Sequence, residues 1–324
     1  MRDQYPVFDL HCDTAVELFF REQAWDKNDL QLDLERAEKL LRHIQVYAFC
    51  CVYDRQSFQP LPPRQAEQSY ISAVTNFYQE LEAHRQSHAL CKNARDMAHA
   101  AAEGKRSVFL SLEGPEVIGC DPGRLEELKE TGVVMTTLTW NYSNALAGCH
   151  GTDDGLTAQG KAFVRRAQEL GIVIDVSHLS EKAFWDLCRI TTAPIVASHS
   201  NSRAICDHTR NLTDLQFKTI CNLDGLVGIN LYSPFLKSEG RADFSDVRRH
   251  IDHFLSLGGQ HHIALGGDLD GCDTLPLGFT GIDSYNLLGR YLVQKGLEEE
   301  LTMNIMNNNA VRFFLQHLQD GPIR

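Results

Sequence analysis

The feature that most constrains this chain is a repeated order: a short apolar run, a polar turn, then a longer stretch with helical spacing. Eight such runs occur, at 7–10, 44–52, 108–112, 133–138, 172–176, 195–197, 226–231 and 263–265. Most are continuously apolar rather than alternating, as expected of parallel strands covered on both faces. Between them the spacing predicts helices over 64–85, 96–104, 124–132, 157–171, 181–190, 213–223 and 244–257, with 283–295 and 298–316 completing the ring. Several of these close on Gly, the usual residue just past a helix end. Eight strand-then-helix units predict an α/β fold, a (β/α)8 barrel of TIM type, running as a single domain over residues 1–324. An open doubly wound sheet is the competing arrangement of the same order.

Charge and hydropathy narrow the partners. The chain carries 31 Lys+Arg against 43 Asp+Glu, a formal charge of −12. Its basic residues never extend into a run, which argues against nucleic acid or an anionic membrane. No stretch reaches the roughly 18 apolar residues that span a bilayer. The start, MRDQYPVFDLHCD, lacks the pattern of a cleaved leader, and the end, FFLQHLQDGPIR, lacks the hydrophobic tail of a lipid anchor. A cytoplasmic protein is therefore expected. The ten Cys are scattered and show no CxxC spacing, so they read as small buried hydrophobes in a reducing compartment.

In a barrel of this kind the C-terminal strand ends and the loops after them build the active site. His11-Cys12-Asp13 follows the first run; alternation along a strand would point His11 and Asp13 the same way. Glu113 follows the third run, ahead of Gly114-Pro115; His178 follows the fifth, His199 the sixth, and Asp268 and Asp270 the eighth. Each has a plain structural alternative: Asp13 or Glu113 as a helix cap or loop carboxylate, a strand-end His as a hydrogen-bonded structural residue. Together, five of eight strands closing on His or carboxylate point to a metal site. Imidazole and carboxylate without thiolate suit zinc, with manganese or cobalt compatible. Five such groups exceed the roughly three that one catalytic zinc takes from protein, which favours two metals sharing a bridging carboxylate.

At these residues the sequence closely resembles the membrane (renal) dipeptidase family of zinc dipeptidases, among the amidohydrolase-like metal barrels. The resemblance is carried by FDLHCD, SLEG, LTWN, NALA, GLTAQGKAFVRRAQELGIVIDVSH, ASHSNSRAI, TRN, GGDLDG and NNNAVRFF, in family order along nearly the whole chain. It implies a binuclear zinc dipeptidase: His11 and Asp13 on one zinc, His178 and His199 on the other, and Glu113 bridging. Asp268, and not Asp270, would be the catalytic acid that protonates the departing amine. Arg210 would grip the free C-terminal carboxylate of a dipeptide. Trp140 stands where mammalian members carry a His that stabilises the oxyanion; its indole, or Asn141, Asn144 or His150, would substitute, or the metal alone would serve. Phe235 replaces a Tyr of the substrate pocket, with Tyr232 nearby. The resemblance further implies tolerance of a D-residue at the C-terminal position, and a homodimer.

The remaining histidines read as structural. His261 and His262 precede the last strand; His84, His88 and His99 read as exposed helix positions; His250 and His253 stand at helical spacing. Two other functions compete with dipeptide hydrolysis: an amidohydrolase-type activity on a cyclic amide or ester, and a metal-binding barrel without catalysis.

Overall fold

The computed structural model describes residues 2–318; Met1 and 319–324, including the end of the chain read above for a lipid anchor, lie outside the described residues. Among the described residues nine strands form: β1 (Pro6–Cys12), β2 (Arg42–Phe49), β3 (His88–Leu90), β4 (Arg106–Leu112), β5 (Val133–Thr137), β6 (Val173–Asp175), β7 (Ile195–Ala197), β8 (Leu226–Ile229) and β9 (Ile263–Leu265). All pair in parallel, in the order β2-β1-β9-β8-β7-β6-β5-β4, and β2 pairs β4 from Gln45↔Val108 to Phe49↔Leu112. That last ladder closes eight strands into a barrel, the architecture the apolar runs predict. β3 is additional: it pairs with the start of β4, from His88↔Arg106 to Leu90↔Val108, and β2 takes over the pairing from Val108 onward. His88 is thus a buried strand residue and not an exposed helix position, because this turn after helix Pro63–Ala83 folds back onto the sheet.

Burial explains why the runs are continuously apolar. One core cluster draws Phe8, Ile44, Phe109, Val134, Val173, Val196, Leu226 and Ala264, one or more from every barrel strand, and so lies inside the ring. The helix Asn309–His317 packs into the same cluster: the Phe314 ring lies 4.6 Å from Phe8 and 4.7 Å from Phe109. The second cluster joins the outer strand faces to the surrounding helices, through residues such as Val7, Phe77, Phe163, Phe184 and Phe254.

Short polar side chains set where the helices begin. Thr157 and Ser180 accept from the backbone N–H groups of Gly160 and Ala183, and Thr213 and Asp243 form capping boxes with Gln216 and Asp246. Each satisfies donors that the first helical turn leaves without partners. The segment predicted as one helix over 298–316 is continuous but loosens into a π-helical turn at Asn304–Asn308. A short helix, Thr14–Phe20, follows β1 directly and has no counterpart in the sequence reading. Among the described residues no helix is long and apolar enough to cross a membrane. All ten cysteines are free thiols, eight of them buried.

Candidate metal centre

Five strand ends converge on one point at the mouth of the barrel. β1 delivers His11 and Asp13, β4 Glu113, the segment after β6 His178, that after β7 His199, and that after β9 Asp268. His11, Asp13, Glu113, His178 and His199 are at most 6% exposed. Simple alternation is not what aims the first pair. The ladder of β1 with β2 shifts register between Asp9 and Cys12, and the strand ends there, so the irregularity re-aims His11. Asp13 stands at the start of helix Thr14–Phe20 but makes no side-chain cap hydrogen bond, and its Oδ1 is buried without a partner. The cap reading of Asp13 therefore fails.

The donors fall into two groups about Glu113. Its Oε1 lies 2.9 Å from His178 Nε2 and 3.5 Å from His199 Nε2, and these two nitrogens are 3.0 Å apart. Its Oε2 lies 3.7 Å from His11 Nε2, which is also 3.7 Å from Asp13 Oδ2 and 3.8 Å from Asp268 Oδ1. Both His11 ring nitrogens are buried without a hydrogen-bond partner. Orphaned imidazole nitrogen and carboxylate oxygen are costly unless a cation completes them. Donor spacings of roughly 3–3.5 Å in the first group suit atoms sharing one small cation. The residues thus fit a pair of divalent cations, with imidazole and carboxylate donors suited to zinc.

Neighbouring groups hold the donors in place. His178 Nδ1 donates to Asn141 Oδ1 (2.9 Å), leaving Nε2 to face Glu113. His199 Nδ1 bonds Ser198 Oγ (2.7 Å), which in turn donates to Asp175. Asp175 is close enough to His11 and His199 to join a third donor group. Its oxygens, however, already accept from Ser177 N, Ser198 N and Ser198 Oγ, so it supports His199. Such partners fix ring orientation and tautomer at metal sites. Glu113 is braced through its own N–H to the Phe49 carbonyl, and the next N–H, of Gly114, donates to Thr137 Oγ1.

Burial and charge oppose one another here. Burial pushes Glu113 up to about 8 and Asp268 up to about 6, in both cases against the pull of His11. Burial alone would lower His11, but Glu113, Asp13 and Asp268 outweigh it and hold the imidazole up to about 10. His178 and His199 are driven well down by burial, with Arg210 adding to the effect.

Asp268 belongs to the His11 group, with His11 and Asp13, and is the least enclosed of the six, with 14% of its side chain exposed. Asn230 Nδ2 donates to its Oδ2 at 3.0 Å, and its backbone lies in the left-handed region at φ 56°. His178 is left-handed as well, at φ 70°. Non-glycine residues in that region are strained and cluster at functional sites. At Gly271 a Cβ would meet Asp13 Oδ2 at 2.2 Å and Asp268 Oδ1 at 2.4 Å, so only glycine lets the loop pass both carboxylates. Asp270 points away from the site: its oxygens accept from Thr14 Oγ1 and Gln31 N at 2.5 Å each.

A cavity of about 280 Å³ opens onto this centre, lined by Asp13, Glu113, His178 and Asp268 and by Arg210, Trp140, Asn141, Tyr232 and Phe235. Arg210 is 5% exposed, its guanidinium 5.5 Å from the Phe235 ring centroid. Among the described residues no carboxylate pairs with it. Burial lowers its pKa, against the pull of Asp268 and Glu113. Of the four residues that could replace the missing His, Trp140 and Asn141 reach the cavity. Asn144 is engaged by Glu116 and the Leu138 carbonyl, and His150 lies behind Asn141, bonded to its Oδ1 (3.1 Å) and to Thr209.

The sequence reading missed Asn230, Tyr53 and Phe58. Asn230 directly follows β8, so a search of strand ends that admitted amides would have found it. Tyr53 and Phe58 line the cavity from a long loop after β2, and no local pattern signals that. Three of the histidines read as structural have ordinary hydrogen-bond partners. His250 accepts from Ser202 N and bonds the Leu236 carbonyl, His253 pairs with Asp214, and His262 bonds the Gly225 carbonyl.

Comparison with known proteins gives these features a context. Residues 1–319 match a family model described as membrane dipeptidase (peptidase family M19). A solved metallopeptidase, dipeptidase AC of family M19, is 30% identical with a TM-score of 0.87, over 96% of this chain and 98% of that one. A metallopeptidase from Rhodobacter sphaeroides, solved with a phosphinate mimic of the dipeptide L-Ala-D-Ala, is 28% identical with a TM-score of 0.88, over 98% of this chain and all of that one (100%). An uncharacterised protein of Acinetobacter calcoaceticus is 32% identical over 284 residues, 77% of this chain and 89% of its own length.

Proposed function

The chain belongs to the membrane dipeptidase family, peptidase family M19, and is a metal-dependent dipeptidase, and from this premise we propose that it cleaves dipeptides with two zinc ions held by five of its own side chains. His11 and Asp13 would hold one ion and His178 and His199 the other, with Glu113 placed to serve both. The observation that carries this reading is Glu113 itself, which turns one oxygen toward each donor group. Manganese or cobalt would fit the same donors. When bound, such cations polarise the scissile carbonyl and make a water acidic near neutral pH.

The chain's own residues do the rest. Asp268, held by Asn230 and facing the cavity, takes the proton of the attacking water and delivers it to the nitrogen of the departing amine. Arg210, buried and, among the described residues, without a carboxylate partner, receives the substrate's free C-terminal carboxylate and so limits cleavage to dipeptides. Trp140 walls the cavity. The C-terminal residue can be of D configuration, a reading supported by the L-Ala-D-Ala mimic in the Rhodobacter sphaeroides neighbour. The chain acts as one domain, and family resemblance extends the proposal to a homodimer. Ten free thiols favour a cytoplasmic setting.

Arg210→Ala tests the substrate end. Losing a charged hydrogen-bonded pair is worth about 1.5–3 kcal/mol, so KM should rise roughly tenfold to a hundredfold, with a smaller change in kcat. Cleavage of C-terminally amidated dipeptides as fast as the free acids would remove the carboxylate grip.

A further inference from the structure

Tyr53 lies between two flat neighbours. Its ring is parallel to that of Trp140, 4.2 Å between centroids at 7°, and to that of Phe58, 5.6 Å at 11°. All three rings line the cavity over the metal centre. The stack is pinned from both sides: Tyr142 Oη donates to the Phe58 carbonyl, and the Arg55 guanidinium sits 4.6 Å from the Tyr53 centroid while pairing with Glu17 at 2.9 Å. Even so, Phe58 is 59% exposed and its backbone is left-handed at φ 55°. A large apolar ring held in water on a strained backbone gains nothing for the fold alone.

Topology gives the stack a place on the substrate. Arg210 lies in the segment after β7, while Tyr53 and Phe58 lie in the segment after β2. In the closed order β2-β1-β9-β8-β7-β6-β5-β4, β2 and β7 are four strands apart in either direction. The two therefore face each other across the barrel mouth, with the donor cluster between them. A dipeptide held by its carboxylate at Arg210, its amide over Glu113, directs its N-terminal residue toward the rings. A second cavity of about 460 Å³ shares Tyr53 and Phe58 with the first, so room continues beyond the stack.

We propose that Phe58, Tyr53 and Trp140 form a subsite that selects an aromatic or large aliphatic side chain on the N-terminal residue of the dipeptide. The proposal rests on the dipeptidase reading above. It also assigns Trp140 a role other than oxyanion donor: its ring face is spent on Tyr53, and it sets substrate choice.

The test compares kcat/KM for Phe-Ala and Gly-Ala, each with L-Ala and with D-Ala, in the native protein and in Phe58→Ala, Tyr53→Ala and Phe58→Leu. The native protein should favour Phe-Ala by about tenfold or more. Phe58→Ala and Tyr53→Ala should bring the ratio to within about threefold of one, through a fall in kcat/KM for Phe-Ala. Phe58→Leu, which keeps apolar surface, should restore part of it. Phe58 is exposed, so its replacement leaves the core intact. A native ratio near one, or a ratio that survives both alanine variants, overturns the subsite while leaving dipeptide hydrolysis standing. If the native protein cleaves neither substrate, the dipeptidase reading fails and the subsite with it.

Discussion

Asp268→Asn should lower kcat by about 10²–10⁴-fold while leaving the metal content of the protein unchanged. The amide keeps the size of the carboxyl and can still meet Asn230, but it cannot carry a proton from water to the departing amine. Asp268 is a suitable site for so selective a change because it stands at the edge of the donor cluster. It lies 3.8 Å from His11 Nε2, within donor distance of His11 and Asp13 but outside the group formed by Glu113, His178 and His199, and keeps 14% of its side chain open to the cavity. Metal analysis beside steady-state kinetics separates the outcomes. Lost metal would make Asp268 a ligand, and undiminished turnover would remove it from the proton path.

Glu113→Ala should have the broadest effect: metal content should fall from about two per chain to below one, and dipeptide hydrolysis should drop below detection. The cause is position. Glu113 is 3% exposed, and its two oxygens serve the two donor groups separately. Removing it leaves His11 and Asp13 on one side, and His178 and His199 on the other, each short of an anionic donor. Metal affinity depends steeply on ligand number and charge. Glu113→Gln, which keeps one oxygen and the side-chain volume, controls for the cavity left by alanine, and circular dichroism checks that both variants fold. A protein that kept two metals and its turnover without Glu113 would contradict the bridging role.

Much of this site is legible in the sequence because a parallel barrel writes itself locally. Continuous apolar runs mark strands buried on both faces, and the residue after each run falls at the mouth. That is why His11, Glu113, His178, His199 and Asp268 can be picked out without coordinates. The misses have physical causes. β3, His88–Leu90, is no shorter than β6, β7 or β9, but it opens on His88 behind the polar stretch His84–Ser87 and so shows no continuous apolar run. Helix Thr14–Phe20 reads TAVELFF, whose apolar and β-branched residues suit a strand equally well; tertiary packing decides it. The aim of His11 depends on a register shift, and a register shift is a property of two strands, not one. Tyr53 and Phe58 reach the site only because a long loop after β2 folds over the mouth and stacks on a residue more than eighty positions away. Asn141 and Asn230 matter through what they orient, and nothing in an isolated Asn announces its partner.

Metal-dependent cleavage is tested most directly by assaying purified protein on a panel of L,L and L,D dipeptides, before and after dialysis against a chelator. Hydrolysis of at least some of the panel, lost on chelation and restored by added zinc, is the expected result. Cleavage of none of them by the metal-loaded protein, or cleavage indifferent to the chelator, would contradict it.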